Sequence, residues 1–335
     1  MDVESKQHDW KTLVFKNTVP FSQRCKIVYK WQCNNNPVYN RFINAFGLTS
    51  TSAGSPLEIP LLPIRAFKEA SVITDTRNAK LQFQSSGTGN MQKSRHWVPE
   101  PEIYRQAIKN EFYKHFNHDA VSILAYTPSY SDNSNSSLIW MLNELIGNDP
   151  SVLSRFLPIG KPLYKNSISD ILEAGRTPIL FGAAFGLLDL IEYGSDNLPN
   201  GSHIIETGGM KTHRREMGKK ELRNRLSEGF SVPENQVHSE YGMCELLSQM
   251  YAIGGEEFRT PHWVQVTLRN PENPFEICKP GIEGKIGIID LANFYSCAFI
   301  LTDDKGVMNE DGSFRVLGRW NDTDPRGCNF LIDSK

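Results

Sequence analysis

The chain has 335 residues, enough for one large domain or two smaller ones, and its 39% apolar content is sufficient for a sizeable core. A net charge of −2 without an extended basic run excludes a protein that tracks nucleic-acid phosphates. The six cysteines, at 25, 33, 244, 278, 297 and 328, exclude a disulfide-dense scaffold, and Cys25 and Cys33 do not stand at a CxxC zinc spacing.

The first residues, MDVESKQHDWK, are polar and show no secretory signal, so a reduced cytoplasm is the expected home. Residues 1–50 read as a helical, aromatic-rich region. A Gly/Ser/Thr/Pro stretch at 49–56 separates it from α/β layers expected over 55–260. Within those layers a short strand at 81–83 leads into SSGTGNMQK at 85–93. Tyr104, Ile108 and Phe112 then follow a helical period, as do Leu138, Met141, Leu142 and Leu145. Strands are expected at 122–126, 178–181, 203–206 and 236–240, with a helix at 214–226 carrying Leu222 and Leu226. The apolar run 178–191 is broken by Asp189 and is too short to span a bilayer. After Trp263 the pattern turns β-rich, with strands at 263–268, 285–290, 297–301 and 314–317. The alternation predicts an α/β layered fold with a β-rich subdomain over 261–335. No linker marks an independent second domain, so 1–335 reads as one domain.

Five segments carry chemistry. Ser85, Ser86, Gly87 and Thr88 follow a strand, and small hydroxyl residues let backbone N–H and side-chain O–H groups wrap phosphate oxygens; Lys93 adds a point charge. The plain alternative is a Ser/Gly turn. Gly208 and Gly209 end the strand His203-Ile204-Ile205 and leave room for a flat ring at a strand's carboxyl end, where α/β proteins bind ligands. Tyr241-Gly242-Met243-Cys244-Glu245 offers a ring to stack on adenine and a carboxylate to hold Mg²⁺ bridging phosphates. Alternatively Tyr241 is a core aromatic and Glu245 opens a helix at 246–251. Asp304, at a strand end, suits both hydroxyls of a ribose, and Arg319 suits a phosphate or the ribose; the competing reading makes 303–306 a hairpin turn. Together these parts serve one reaction, the attack of a carboxylate on the α-phosphate of ATP.

The order SSGTGNMQK, TGGM, YGMCE, GIEGKIG, TDDKG and GRWN resembles that of the adenylate-forming superfamily of acyl-CoA ligases, adenylation domains and luciferases. Within it the chain is most similar to the acyl-protein synthetase (LuxE) family. The stretches that carry this resemblance include IPLLPIRAFKE, ETGGMKTHRRE, SEYGMCELLSQMYA, DLANFYSCAFILTDD and VLGRWNDTDPRGC, over about residues 55–330. The resemblance implies the large N-terminal-type domain of adenylate-forming enzymes, ATP and Mg²⁺ as cofactors, and a carboxylic acid, expected to be a fatty acid, as substrate. It also implies that the chain works without the mobile C-terminal domain and catalytic Lys of the wider superfamily. Lys211, Arg214 or Arg215 would then supply positive charge near the α-phosphate. In this family the acylated cysteine lies near the C-terminus, and Cys328 within RGC matches it; the acyl acceptor beyond it would be a partner such as an acyl-reductase. Cys297 and Cys244 are lesser candidates for the thiol.

The sequence departs from the superfamily pattern at Gly89, Asn90 and Gln92 of the phosphate loop, at Cys244 in place of Thr or Ser, and at Asp303 in place of Gly. Two other readings stand beside the first. One is an acyl- or aryl-CoA ligase of the phenylacetate-CoA ligase type. The other is a non-catalytic acyl- or nucleotide-binding subunit of a biosynthetic complex.

Overall fold

Three helices, α1 (Trp10–Phe15), α2 (Phe21–Asn35) and α3 (Pro37–Asn44), come first in a computed structural model that describes residues 10–74, 79–85, 92–127, 134–208 and 217–320. Asn36 caps α3. Its side chain accepts the N–H groups of Val38 and Tyr39, each at 3.1 Å, and Pro37 fills the first helical position, where no N–H is needed. A short β1 (Leu62–Pro63) and α4 (Ala66–Glu69) lead to an antiparallel hairpin, β2 (Leu81–Gln84) with β3 (Arg95–Val98). The chain then enters α5 (Pro101–His115).

The described residues fall into two compact units. The first holds those of Met1–Ala107, Glu245–Ser248 and Thr260–Lys335, and the second those of Ile108–Cys244 and Gln249–Arg259. Because the chain changes unit after Ala107, Cys244, Ser248 and Arg259, no stretch of sequence marks the division.

The second unit is α/β. Its elements run β4 (Val121–Tyr126), α6 (Ser137–Gly147), β5 (Arg155–Phe156), α7 (Ser169–Glu173), β6 (Thr177–Ala183), α8 (Ala184–Glu192), β7 (His203–Thr207), α9 (Lys219–Phe230), β8 (Val237–Tyr241) and β9 (Met250–Ala252). The sheet order is β5-β4-β6-β7-β8-β9, parallel except where β9 runs against β8. Strands buried on both faces read as nearly continuous apolar runs, which is why β4 and β6 lack alternation. On one face Leu124, Leu180, Ile204 and Val237 pack with Leu187 and Leu188 of α8 and with Leu222, Leu226 and Phe230 of α9. The apolar run at 178–191 is therefore two elements, a strand and a helix that covers the same sheet.

The first unit closes with β10 (Val264–Arg269), β11 (Glu283–Asp290), β12 (Phe299–Met308) and β13 (Phe314–Arg319). Its sheet runs β1-β12-β11-β10, with β13 also on β12; β1 is parallel to β12 and the other pairs are antiparallel. Tyr29 of α2 and Tyr39 of α3 set their rings 5.8 and 5.4 Å from Phe299 of β12, tying the N-terminal helices to this sheet.

Two expectations are corrected here. Residues 303–306 are not a turn, and Asp304 is not at a strand end, because β12 continues to Met308. The reversal comes at 309–313 instead, where Gly312 has φ +81° and Asp311 accepts from the Ser313 N–H at 3.0 Å. Likewise 246–251 is not a helix but a turn followed by β9. Among the described residues no helix is long and apolar enough to cross a membrane.

Candidate active site

In the first unit the β2–β3 ladder continues one residue past each strand. The Ser85 N–H donates to the Ser94 carbonyl at 3.1 Å, and the Ser94 N–H donates to Ser85 Oγ at 3.0 Å. These two bonds close the base of the loop that carries the Ser/Gly motif. Ser86, Gly87 and Thr88 lie outside the described residues, as do Gly209, Lys211, Arg214, Arg215 and Cys328. Lys93 is exposed, and Ser94 is 2% exposed.

The Ser94 hydroxyl donates to the carboxylate of Glu245, which is 5% exposed. Burial pushes the Glu245 carboxyl above its ordinary range. The Ser94 bond, a backbone bond and the charges of Arg319 and Lys68 oppose that shift. The backbone of this segment is clamped by residues far along the chain. Asn293 Nδ2 donates to the Glu245 carbonyl at 2.7 Å, and the Leu247 N–H donates to Asn293 Oδ1 at 2.8 Å. Ser248 donates to Asp290 Oδ1 at 2.8 Å while accepting from Trp263 Nε1 at 2.9 Å. Asp290 also accepts the Ala292 N–H at 3.0 Å, which caps the single turn bearing Asn293. Burial pushes the Asp290 carboxyl up to about 6. Gln32 of α2 in turn points its amide nitrogen at the carbonyls of Asn293 and Phe294, at 3.3 and 3.1 Å.

Asp304 and Arg319 are cross-strand partners on β12 and β13, with Arg319 Nε 3.1 Å from Asp304 Oδ1. Beside them Lys305 lies over the Trp320 ring at 5.2 Å. The pair leaves the outer face of the guanidinium in solvent, where it can meet an anion.

In the second unit Gly208 and Gly242 follow the carboxyl ends of the adjacent parallel strands β7 and β8. Gly208 has φ +80° with open space where a Cβ would stand. Tyr241 is 8% exposed and packs its ring 5.8 Å from Phe258, so it is largely a core aromatic in this state. Two carboxylates stand at these strand ends on opposite faces of the sheet. Glu240 accepts from the Thr207 hydroxyl, and burial, with Glu206 nearby, pushes its carboxyl up to about 7. Glu206 accepts from the Ser239 hydroxyl and from Lys219 Nζ at 2.6 Å. A Cβ on Gly242 would stand 2.5 Å from Glu240 Oε1, so the buried carboxyl occupies the space that glycine leaves.

The structure thus joins Ser85 to Glu245 through Ser94, and Asp304 to Arg319; it sets Gly208 and Gly242 at neighbouring strand ends. Reasoning from sequence missed Ser94, Asp290, Asn293, Glu206 and Glu240. DLAN was visible only as a family mark, and the two glutamates sat unremarked inside ETGG and SEYG. Of the alternative thiols, Cys297 is fully buried and pushed up to about 12, so it holds no useful thiolate near neutral pH.

The fold is that of adenylate-forming acyl-CoA ligases. An open conformation of 2-hydroxyisobutyryl-CoA ligase in complex with 2-HIB-AMP and CoA superposes with a TM-score of 0.64 at 12% identity, covering 90% of this chain and 70% of that one. The same ligase in the thioesterification state gives 0.65 at 13% identity, over 90% and 68% of the two chains. The family model described as "Acyl-protein synthetase, LuxE" matches residues 165–335, just over half of the sequence, and the chain belongs to that family. No curated protein sequence matches it.

Proposed function

We propose that the chain activates a carboxylic acid, a fatty acid by the family resemblance, with ATP and passes the acyl group to a protein thiol. One observation carries this reading. A single unit brings the closed base of the Ser/Gly loop and the YGMCE glutamate into contact through the Ser94–Glu245 hydrogen bond. Membership of the acyl-protein synthetase family supports acyl activation by ATP. The similar ligase was solved with an acyl-adenylate, 2-HIB-AMP, which supports adenylation on this fold.

In the first half-reaction an oxygen of the acid attacks the α-phosphorus, the bond to the bridging oxygen breaks, and pyrophosphate leaves. In the second, a thiolate attacks the acyl carbonyl carbon and AMP leaves. The protein's part is positioning and charge. In the first unit the family resemblance assigns Ser85, Ser86, Gly87, Thr88 and Lys93 to the phosphates, Asp304 to the ribose hydroxyls and Arg319 to their support; in the second it assigns Gly208, Gly209, Tyr241 and Gly242 to adenine. Among the described residues no group of three or more His, Cys, Asp or Glu side chains gathers to hold a metal alone. A lone carboxylate suits Mg²⁺, which keeps its waters and takes substrate phosphates as its other ligands, so Glu245 fits. Bound there, the ion would neutralise charge building on the phosphates. Cys328 carries the acyl group onward to a partner such as an acyl-reductase in the cytoplasm.

ATP–pyrophosphate exchange over a panel of aliphatic and aromatic acids tests the first half, and hydroxylamine-sensitive labelling with radioactive acid tests the second. Cys328→Ser should keep exchange and lose labelling. Exchange with no acid of the panel would overturn the activation step, and labelling that persists in Cys328→Ser would overturn the assignment of the thiol.

A further inference from the structure

Among the described residues two arginines are fully buried, both in the first unit, and they are held differently. Arg24 spends its Nη groups on the carbonyls of Leu13, Val14 and His262, at 3.3, 2.7 and 2.8 Å. Arg269, the last residue of β10, donates from Nε to Thr267 Oγ1 at 3.1 Å, while its Nη2 is buried with no hydrogen-bond partner. Burial lowers this guanidinium to about 10, still far above neutral pH, so the charge is kept. An uncompensated buried charge is costly, and a buried donor without an acceptor adds to the cost. The acidic side chains of this part of the sheet are engaged elsewhere. Glu276 takes the Asn270 amide at 2.9 Å, Asp303 stands 3.7 Å from Lys285 Nζ, and Glu283 pairs with Lys305.

The stem of Arg269 is fixed by packing. Gly287 of β11 lies opposite Thr267, and a Cβ there would stand 2.3 Å from Leu61 Cδ1 and 3.3 Å from Arg269 Cγ. Leu61 and the arginine stem thus fill the space that the glycine leaves. Lys285, with its side chain 17% exposed, is the direct cross-strand partner of Arg269. Two cations therefore share one face with Cβ atoms about 5 Å apart, and like charges so placed repel.

We propose that Arg269 and Lys285 bind a small oxyanion, a phosphate or a carboxylate, with the guanidinium as the buried end of the site and the lysine at its entrance. A guanidinium edge matches two oxygens of such a group, and the ammonium adds a point charge. An oxyanion accepts from Nη2 and offsets both charges at once. Neither residue has a part in the adenylation scheme, so the site stands or falls independently of it.

The test is titration calorimetry on the full chain in Tris–HEPES buffer, with a non-hydrolysable ATP analogue present to occupy the nucleotide site. Sodium phosphate and sodium acetate are titrated separately, to tell a phosphate ligand from a carboxylate, and sodium chloride at equal ionic strength measures screening. At least one oxyanion should bind saturably. Arg269→Met should weaken it by at least about tenfold, and Lys285→Gln by about threefold to tenfold, through lost charge-assisted bonds. The bound oxyanion should also raise the melting midpoint of the unmodified chain more than that of Arg269→Met. The site is refuted if neither oxyanion binds, if chloride binds equally well, or if either variant keeps the unmodified affinity. An Arg269→Met chain that melts lower by the same margin with and without oxyanion would make Arg269 purely structural and also overturn it. Should that variant fail to fold, Lys285→Gln decides: weakened binding upholds the site, and undiminished binding rejects it.

Discussion

Asn293→Ala should loosen the segment that presents Glu245. The Asn293 amide is fully buried and makes three bonds: it accepts from the Leu247 N–H at 2.8 Å and donates to the carbonyls of Glu245 at 2.7 Å and Cys297 at 3.1 Å. Alanine leaves the Leu247 donor buried without that partner, which costs about 1–3 kcal/mol. The two carbonyls and the emptied volume add to this, so about 3–4 kcal/mol is expected for the unit that contains them. The loss is local before it is global. Hydrogen exchange should therefore show the Leu247 amide losing protection by on the order of a hundredfold, ahead of amides in the second unit. Urea unfolding gives the matching stability change, and pyrophosphate exchange should fall by more than about tenfold under conditions where the variant is folded. A stability change below about 1 kcal/mol, with Leu247 protection unaltered, would refute the clamp.

Glu240 carries a pH dependence with a definite sign. Its carboxyl is raised from 4.5 to about 7, so the fold favours the protonated form. That contribution is fully present below pH 4.5 and is lost as pH rises through about 7. Its size is on the order of 3 kcal/mol, and Glu240→Gln should flatten stability over this window; an identical slope in the variant would show that another group is responsible. Asp304→Ala should weaken ATP binding by about 1.5–3 kcal/mol in calorimetric titration, through lost charge-assisted bonds to the ribose. Its effect on stability should stay below about 1 kcal/mol, since the partner Arg319 is largely in solvent. Unchanged ATP affinity would remove Asp304 from the site.

The layered fold was legible because its strands are buried runs bounded by glycines and polar turns, and local pattern decides those. Thus 203–206 and 178–181 match β7 and β6 closely. What escaped the sequence depends on contacts between distant residues. Leu246 to Tyr251 has helical composition, yet Asn293 and Asp290 hold its first half as a turn, and pairing with β8 makes the rest a strand. Asp303-Asp304-Lys305-Gly306 has turn composition, but pairing with β11 on one side and β13 on the other keeps it extended. The candidate site shows the same division. Glu245, Asp304 and Arg319 stand in motifs of recognisable spacing. Ser94 and Asn293 act through hydrogen bonds to residues across gaps of sequence that carry no periodic signal.

The measurement that bears most directly on the account is acid-dependent ATP–pyrophosphate exchange by Glu245→Gln. Glutamine keeps the shape and still accepts the Ser94 hydroxyl, while the negative charge is removed. Exchange should fall by about a hundredfold or more, with the melting midpoint shifted by no more than about 3 °C. Exchange at close to the unmodified rate would mean that Glu245 is a buried structural carboxylate, and the proposed site would be misplaced.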